Sequence, residues 1–579
     1  MLEDIHAASN LLRAALEQYI GACSTLHDGH SFDNNINSEV ELSNFVYSEL
    51  NLVEAYKNKL RQAEAAVKRA KNNLTSVPVN TLPPEVLTHI FHLVLAQQPC
   101  SLRTPHYPSS RTPVPFPLYP EIFTHVCSRW RQIALASHKL WSHIDIHLSC
   151  PSSKAFHVRA KNYVTRAQQA PLDIHLIDSS CLHEFKSREP EEHDDSSRSE
   201  SSEADSTIGD WDVWDRKVRS YNPEMFTFLA TSPRPRIKSL GLAIYQEYHS
   251  VHSKALEHCL ANCFPGDLSE LFIDVPRTPG PLSPGPPHRD PALTTRFLSF
   301  LTEQQLENAW RSTTILSLSG KYPRWSSSAY HGLVDLRLLG GDPISEPELT
   351  SILRSSPGLR ILHCDFKVYD LPLSNTLISP VVLEELEELN LEGLDDANTK
   401  RLLRWLKPGL KPLRLSFRGN PTSTLLEDFF AHSNVREMRV TQRPQSFEET
   451  LPISPAMFFL PPQLKALAIV RWGRSITFGG NIATVPSLPV PHDETSVKLD
   501  TLCLLSCHYD KFTKFREVVT KYLPRKLILW KCTIGKLAFY GTPLDMRYLE
   551  SKDGNDIRRL CPSIECPTDK DSSVFLDWD

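Results

Sequence analysis

At 579 residues the chain is too long for one hydrophobic core, and about 100–200 residues per domain predicts three or four units unless part of it is a repeat. A formal net charge of −5 argues against a dedicated nucleic-acid binder, which needs a basic face to neutralise phosphates. Thirteen cysteines without a framework suit a reducing compartment, and no apolar run approaches the roughly 20 residues that span a bilayer, so a soluble protein of cytosol or nucleus is expected, away from membranes.

The chain opens on helical sequence. Ile5, Leu12, Tyr19 and Leu26 recur every seven residues, with Ala8, Ala15 and Ala22 three positions after the first three of them. Val46, Val53, Leu60, Val67 and Leu74 repeat the pattern, accompanied by Tyr56, Ala63 and Ala70. Between them HDGHSFDNNINS reads as a loop, and Ser38 with Glu41 fits a capping box opening the second helix. Matching seams predict an antiparallel coiled-coil hairpin over 1–76; the same seam could recruit a second copy, but the monomer is favoured over the homodimer. His27, Asp28 and His30 in the loop lack a fourth ligand and read as a solvated turn.

Residues 77–142 read as a small helical module with a Pro-rich insertion at 96–118. Pro83 and Pro84 start its first helix rather than break it, because a first turn leaves their missing amide hydrogens unpaired anyway. Val86, Leu87, Ile90, Phe91, Leu93, Val94 and Leu95 cover about 200 degrees of that helix, twice an ordinary core stripe, so a partner surface is implied. Val126, Cys127, Trp130, Ile133 and Ala134 span only about 120 degrees, the stripe of a helix packed on one side. In the order L-P-x-E-V-L-x-x-I-F, V-C-x-x-W-R-x-I-A and L-W, this stretch resembles the F-box, a docking module. The resemblance implies that Leu82, Pro83, Val86 and Ile90 face the small adaptor of a cullin-RING ubiquitin ligase, while Leu87, Phe91, Val126 and Trp130 form the module's own core.

Next come a strand at His143 to Leu148, a helical stretch to Gln169 and a strand at Leu172 to Ile177. Segment 184–215 is dominated by serine and acidic residues, too polar to offset its ordering entropy, and is expected to be a disordered, solubilising insertion. Ser197 with Glu200 and Ser202 with Asp205 resemble acid-directed kinase sites, although a phosphate there adds only charge to an acidic loop. Segment 276–291 is a Pro- and Gly-rich spacer.

An internal repeat fills most of the rest. L-x-x-L-x-L recurs from Leu333, Leu359, Leu386, Leu410, Val435, Leu464 and Leu499, with central residues Leu336, Leu362, Leu389, Leu413, Met438, Leu467 and Leu502 spaced 26, 27, 24, 25, 29 and 35 apart. Weaker copies start at Ile237, Leu268 and Thr313. Helical stretches EPELTSILRSSP, DDANTKRLLRWL, TLLEDFFAHS and KFREVVTKYL lie between. This is the period of a leucine-rich repeat solenoid, irregular because Cys507 and Cys532 occupy the position that caps each turn whereas Leu394, Arg418 and Arg443 stand there in other repeats. Cys561 and Cys566 in the tail, 551–579, have no role by this pattern.

The fold class expected is α/β: an N-terminal helical hairpin and small all-α F-box, then a curved solenoid with a parallel sheet over 143–550. No phosphate-cradling, zinc-hydrolase or nucleophile-elbow motif occurs, so no catalytic residue, cofactor or metal is assigned. Side chains alternating with the buried leucines are candidates for holding a protein target: Arg337, His363, Glu388, Asn390, Arg414 and Arg439, with Asp335, Ile361, Glu392 and Glu437 on the same face and Ala466, Ala468 and Cys503 as apolar surface in the late repeats. Arrangement and repeats together resemble fungal F-box-like proteins, which implies a non-catalytic substrate receptor; the alternative is a leucine-rich repeat scaffold outside any ligase.

Overall fold

The computed structural model describes residues 2–28, 36–74, 78–97, 120–148, 153–178, 223–230, 234–244, 250–275, 301–340, 343–369, 379–419, 424–442, 458, 460–471, 498–509, 511–534, 537–539, 558–559 and 561–567. The expected insertions at 184–215 and 276–291, nearly all of that at 96–118, and His30 lie outside them. The chain divides into two compact units, Met1–Val86 and Leu87–Asp579. Among the described residues no helix is long and apolar enough to cross a membrane.

The first unit holds α1 (Leu2–Asp28), α2 (Ile36–Leu74) and a 3-10 turn (Pro78–Thr81). Helix α2 starts two residues before Ser38, which therefore is not its N-cap. The Tyr19 hydroxyl donates to Glu49 Oε2 at 2.8 Å, one link between the two helices, and this bond to a carboxylate raises the phenol to about 12. The heptad seam is not packed away as expected: Leu12 is 45% exposed, Val53 40%, Leu60 39% and Val67 63%. Alanine at every second seam position of α1, and again at Ala63 and Ala70 of α2, leaves little apolar area to bury per turn, so the larger residues stay in contact with water.

Helix α3 (Pro84–Ala96) spans the boundary. In the second unit its buried Leu87 and Phe91 meet α4 (Glu121–Thr124) and α5 (Ser128–Ala136). Phe91 stacks on Phe123 with ring centroids 4.4 Å apart and lies 4.9 Å from the Trp130 ring. Thr88 and Ser137 share a hydroxyl hydrogen bond at 3.1 Å. Trp141, fully buried, donates through Nε1 to the Ala134 carbonyl at 2.8 Å, meets the Tyr163 ring edge-on, and carries the Arg166 guanidinium 4.3 Å over its face. Tyr163 and Arg166 belong to α6 (Ser153–Ala167), so this tryptophan ties the helical module to the sheet that follows.

Among the described residues that sheet has fourteen strands: β1 (His143–His147), β2 (Leu172–Asp178), β3 (Ile237–Ile244), β4 (Glu270–Asp274), β5 (Ile315–Ser319), β6 (Asp335–Leu339), β7 (Ile361–Asp365), β8 (Glu388–Leu391), β9 (Leu413–Arg418), β10 (Val435–Thr441), β11 (Ala466–Val470), β12 (Thr501–Leu505), β13 (Lys526–Trp530) and β14 (Ser563–Glu565). Spatial order equals chain order and every pairing is parallel. Leu240, Leu271, Leu316, Leu336, Leu362, Leu389, Leu415, Met438, Leu467, Leu502 and Leu527 align rung by rung, each at most 1% exposed. One repeat departs from the expected spacing. Leu415 rather than Leu413 takes the rung, pairing with Leu389 on one side and Met438 on the other; a separate irregularity follows on the Val435 side, where Leu413 pairs with Val435 but Arg414 with Glu437.

Further helices cover the leucine side. They are α7 (Ser250–Ala261), α8 (Glu303–Trp310), α9 (Glu346–Arg354), α10 (Asp396–Trp405), α11 (Thr424–Ala431) and α12 (Phe512–Tyr522). Local sequence starts them: Thr302 with Gln305 and Ser345 with Glu348 form capping boxes for α8 and α9, and the Asp395 carboxylate accepts from the Asn398 amide to cap α10. Each then buries one stripe, as with Leu349, Ile352 and Leu353 or Phe515, Val518 and Val519. Three late strands end in register at Val470, Leu505 and Trp530, and the next residue of each, Arg471, Ser506 and Lys531, turns through φ of 57, 53 and 53 degrees. One residue beyond two of these turns sits a cysteine in the expected capping position: the Cys507 thiol lies 3.2 Å from the Ile469 carbonyl and the Cys532 thiol 3.0 Å from the Leu504 carbonyl, each on the preceding strand. Cys561, which had no role by sequence pattern, is buried and makes the same kind of contact with the Pro524 carbonyl at 3.2 Å.

Candidate functional site

Two surfaces and one buried group carry the chemistry. On α3, Leu87 and Phe91 are fully buried, whereas Val86 is 42%, Leu93 51% and Val94 37% exposed. Leu82 and Ile90 are half-buried and Pro83 is exposed. Trp130 packs on Phe91 as expected. Val126 does not belong to the core: it is 56% exposed, because it precedes the N-cap Cys127 and stands outside α5. Leu93 and Val94 were visible in the wide apolar arc but not among the residues singled out from the motif.

The second surface is the sheet face opposite the leucines. Strands about 4.8 Å apart place side chains of one rung beside each other, and here opposite charges alternate. Arg337 grips Asp335 with two bonds of 3.0 Å, His363 Nε2 lies 2.7 Å from Glu388 Oε1, Arg414 Nε reaches Glu437 Oε2 at 2.9 Å, and Arg439 Nε reaches Glu392 Oε1 at 3.0 Å. Asn390 accepts the Glu392 amide at 3.0 Å. Burial pushes the Glu388 carboxyl up, but the His363 bond and the charges of His363, Arg414 and Arg337 bring it below its ordinary value. Of the residues expected to face a target, Arg337, Glu388, Asn390 and Arg414 stay part-exposed, while His363 and Arg439 are buried at 7% each. Those two serve the neighbouring carboxylates rather than a free surface. The late repeats also differ from expectation: Ala468 and Cys503 are not apolar surface but belong to a buried cluster with Val470, Leu505 and Ile528, against which Trp530 packs.

At the other end of the same face lies a group that motif reading missed. His143 and Asp145 on β1 stand in register with Asp173 and His175 on β2. Asp145 Oδ1 is 3.3 Å from His143 Nε2 and 3.2 Å from His175 Nδ1, while Asp173 lies 3.0 Å from His143 Nδ1 through Oδ2 and 3.1 Å from His175 Nε2 through Oδ1. One ligand atom from each of His143, Asp145 and His175 falls within 4.8 Å of the others, a spacing that could hold a metal ion. Burial opposes protonation of His143, but its bonds to Asp145 and Asp173 carry it up to about 9. Asp145 is buried and Asp173 part-buried, yet the two imidazoles hold both carboxyls well below the usual range. The signal in the sequence is the period-two alternation H-x-D-x-H at 143–147 and D-x-H at 173–175; it becomes a site only once the two strands are known to pair in that register.

No protein-family model matches the chain, and no curated protein matches it either.

Proposed function

We propose that the protein is an F-box-like substrate receptor: α3 docks on the small adaptor of a cullin-RING ubiquitin ligase, and a leucine-rich repeat solenoid holds a protein target for ubiquitin transfer. One observation carries the docking half. Helix α3 buries Leu87 and Phe91 in its own module yet leaves Val86, Leu93 and Val94 facing water, an apolar cost that a partner surface would remove. Leu82, Pro83, Val86 and Ile90 are the residues assigned to the adaptor by their place in the F-box pattern. Arg337, Glu388, Asn390 and Arg414 offer the mixed, part-exposed charge that suits a polar protein surface better than a polyanion. The contribution of such a receptor is effective concentration and orientation, with bond chemistry left to other subunits.

Affinity capture of the full chain from cells, with the adaptor detected in the eluate, tests this. Wild type is expected to retain adaptor, and Ile90→Asp to lose it while the thermal unfolding curve stays in place. If wild type captures no adaptor, the ligase reading is wrong and a scaffold without ubiquitin transfer takes its place.

A further inference from the structure

We propose that His143, Asp145 and His175 form a zinc site, with Asp173 as the carboxylate that orients both histidines. Two of the three ligand distances are those of a tetrahedral ion, and all three ligand atoms lie within 4.8 Å of one another. Zinc bonds of about 2.0–2.1 Å to nitrogen or oxygen set neighbouring ligand atoms roughly 3.3 Å apart, and Asp145 Oδ1 lies 3.3 Å from His143 Nε2 and 3.2 Å from His175 Nδ1. On the far edge of each ring the second nitrogen meets Asp173, at 3.0 and 3.1 Å. A metal-bound histidine that passes its other N–H to a carboxylate is the recurrent outer layer of such sites, and here one carboxylate serves two rings.

The two rings meet edge-on with centroids 4.4 Å apart, and the His175 side chain is 1% exposed, so the ligand set is held within the sheet face. The charge of a single zinc ion balances the two carboxylates. Nitrogen and carboxylate donors without sulfur suit zinc and exclude a thiolate site. Three protein ligands leave a fourth position for water. Solvent reaches the group through His143, whose side chain is 30% exposed. Next along the face, Ser239 on β3 pairs in register with Asp173, is 1% exposed, and has a hydroxyl with no hydrogen-bond partner among the described residues. The ion would fasten edge strand β1, which directly follows the helical module, to the rest of the sheet.

The test uses the full chain, freed of any histidine tag, expressed with added Zn2+ and dialysed. Elemental analysis is expected to find about one zinc per chain in wild type and background in His143→Gln and Asp145→Asn. Asp173→Asn keeps the ligands but loses about 10–100-fold in affinity. Cobalt(II) in place of zinc is expected to give the visible bands of a four-coordinate ion without a thiolate charge-transfer band, a readout on wild type that does not depend on any variant folding. Zinc absent from wild type, zinc retained equally by His143→Gln and Asp145→Asn, or a thiolate band in the cobalt spectrum each overturns the proposal, the last by moving the metal to cysteines.

Discussion

Arg414 and Arg439 sit on adjacent strands of one sheet face and each meets a glutamate, yet water separates their roles. The Arg439 side chain is 9% exposed and its partner Glu392 14%, whereas Arg414 is 32% and Glu437 40% exposed. Removing one member of a buried pair strands the other charge, so Arg439→Ala is expected to lower unfolding free energy by roughly 3–5 kcal/mol, and Arg414→Ala by at most about 1 kcal/mol, in chemical denaturation. Glu388 adds a pH signature. Its carboxyl is lowered in the fold, so its stabilising share is present above the ordinary glutamate range near 4.3 and is lost as pH falls through the folded value. Glu388→Gln should therefore flatten the acid limb of a melting-temperature profile; an unchanged limb would show that the bond to His363 contributes nothing. Ser506 holds φ at 53 degrees without being glycine. Relief of the left-handed backbone and the extra freedom of an unfolded glycine oppose each other, so Ser506→Gly should shift stability by no more than about 1 kcal/mol, toward the folded state.

Within α3 the two faces make opposite predictions. Phe91→Ala removes a ring stacked on Phe123 and Trp130 and should cost about 3–5 kcal/mol. Leu93→Asp, at 51% exposure, should stay within about 0.5 kcal/mol when both variants are compared by chemical denaturation; a large loss there would mean that the exposed face already has a cover within the chain. Much of this level was legible in the sequence. The four late helices α9 to α12 begin within a residue or two of where polar starts and apolar spacing placed them; Ser345 and Asp395 fix the starts of α9 and α10 by local caps, whereas Lys511 opens α12 without a side-chain cap. Val126 was not legible: helical spacing made it a core residue, but the chain had not yet entered α5, and a helix start is decided by one cap, here Cys127. The coiled-coil seam failed for a different reason. Heptad spacing records which residues share a stripe and carries no record of whether enough area exists on the other side to cover it.

Across the whole sheet, the repeat made the parallel ladder readable down to its buried rungs, including weak copies at Leu240, Leu271 and Leu316. It failed at Leu413, whose place between Leu389 and Met438 is taken by Leu415, and it missed both the Leu527 rung of β13 and β14, which joins the sheet from the span read as a tail. It also could not show which side chains of neighbouring rungs neutralise one another, since pairing across strands depends on register rather than on order along the chain. That is why His363 and Arg439 looked available and why the His143 group stayed hidden. The rungs are strongly local in their energetics, each strand touching the ones beside it. Leu362→Ala in the middle of the ladder is expected to cost about 2–5 kcal/mol, with hydrogen exchange faster in β6 to β8 than at the ends; uniform acceleration over all strands would argue for one cooperative block instead.

Identity of chain order and spatial order also bears on how the protein is made. As the polypeptide leaves the ribosome, each described strand of this sheet finds its upstream neighbour already in place, without waiting for a distant one still to be translated. The growing sheet thus carries one fresh unpaired edge at any moment, at its newest strand, and the next few dozen residues of synthesis close it. A pause in translation exposes that edge for as long as it lasts, so the codons between strands, and not only the residues they specify, set how safely this sheet is assembled.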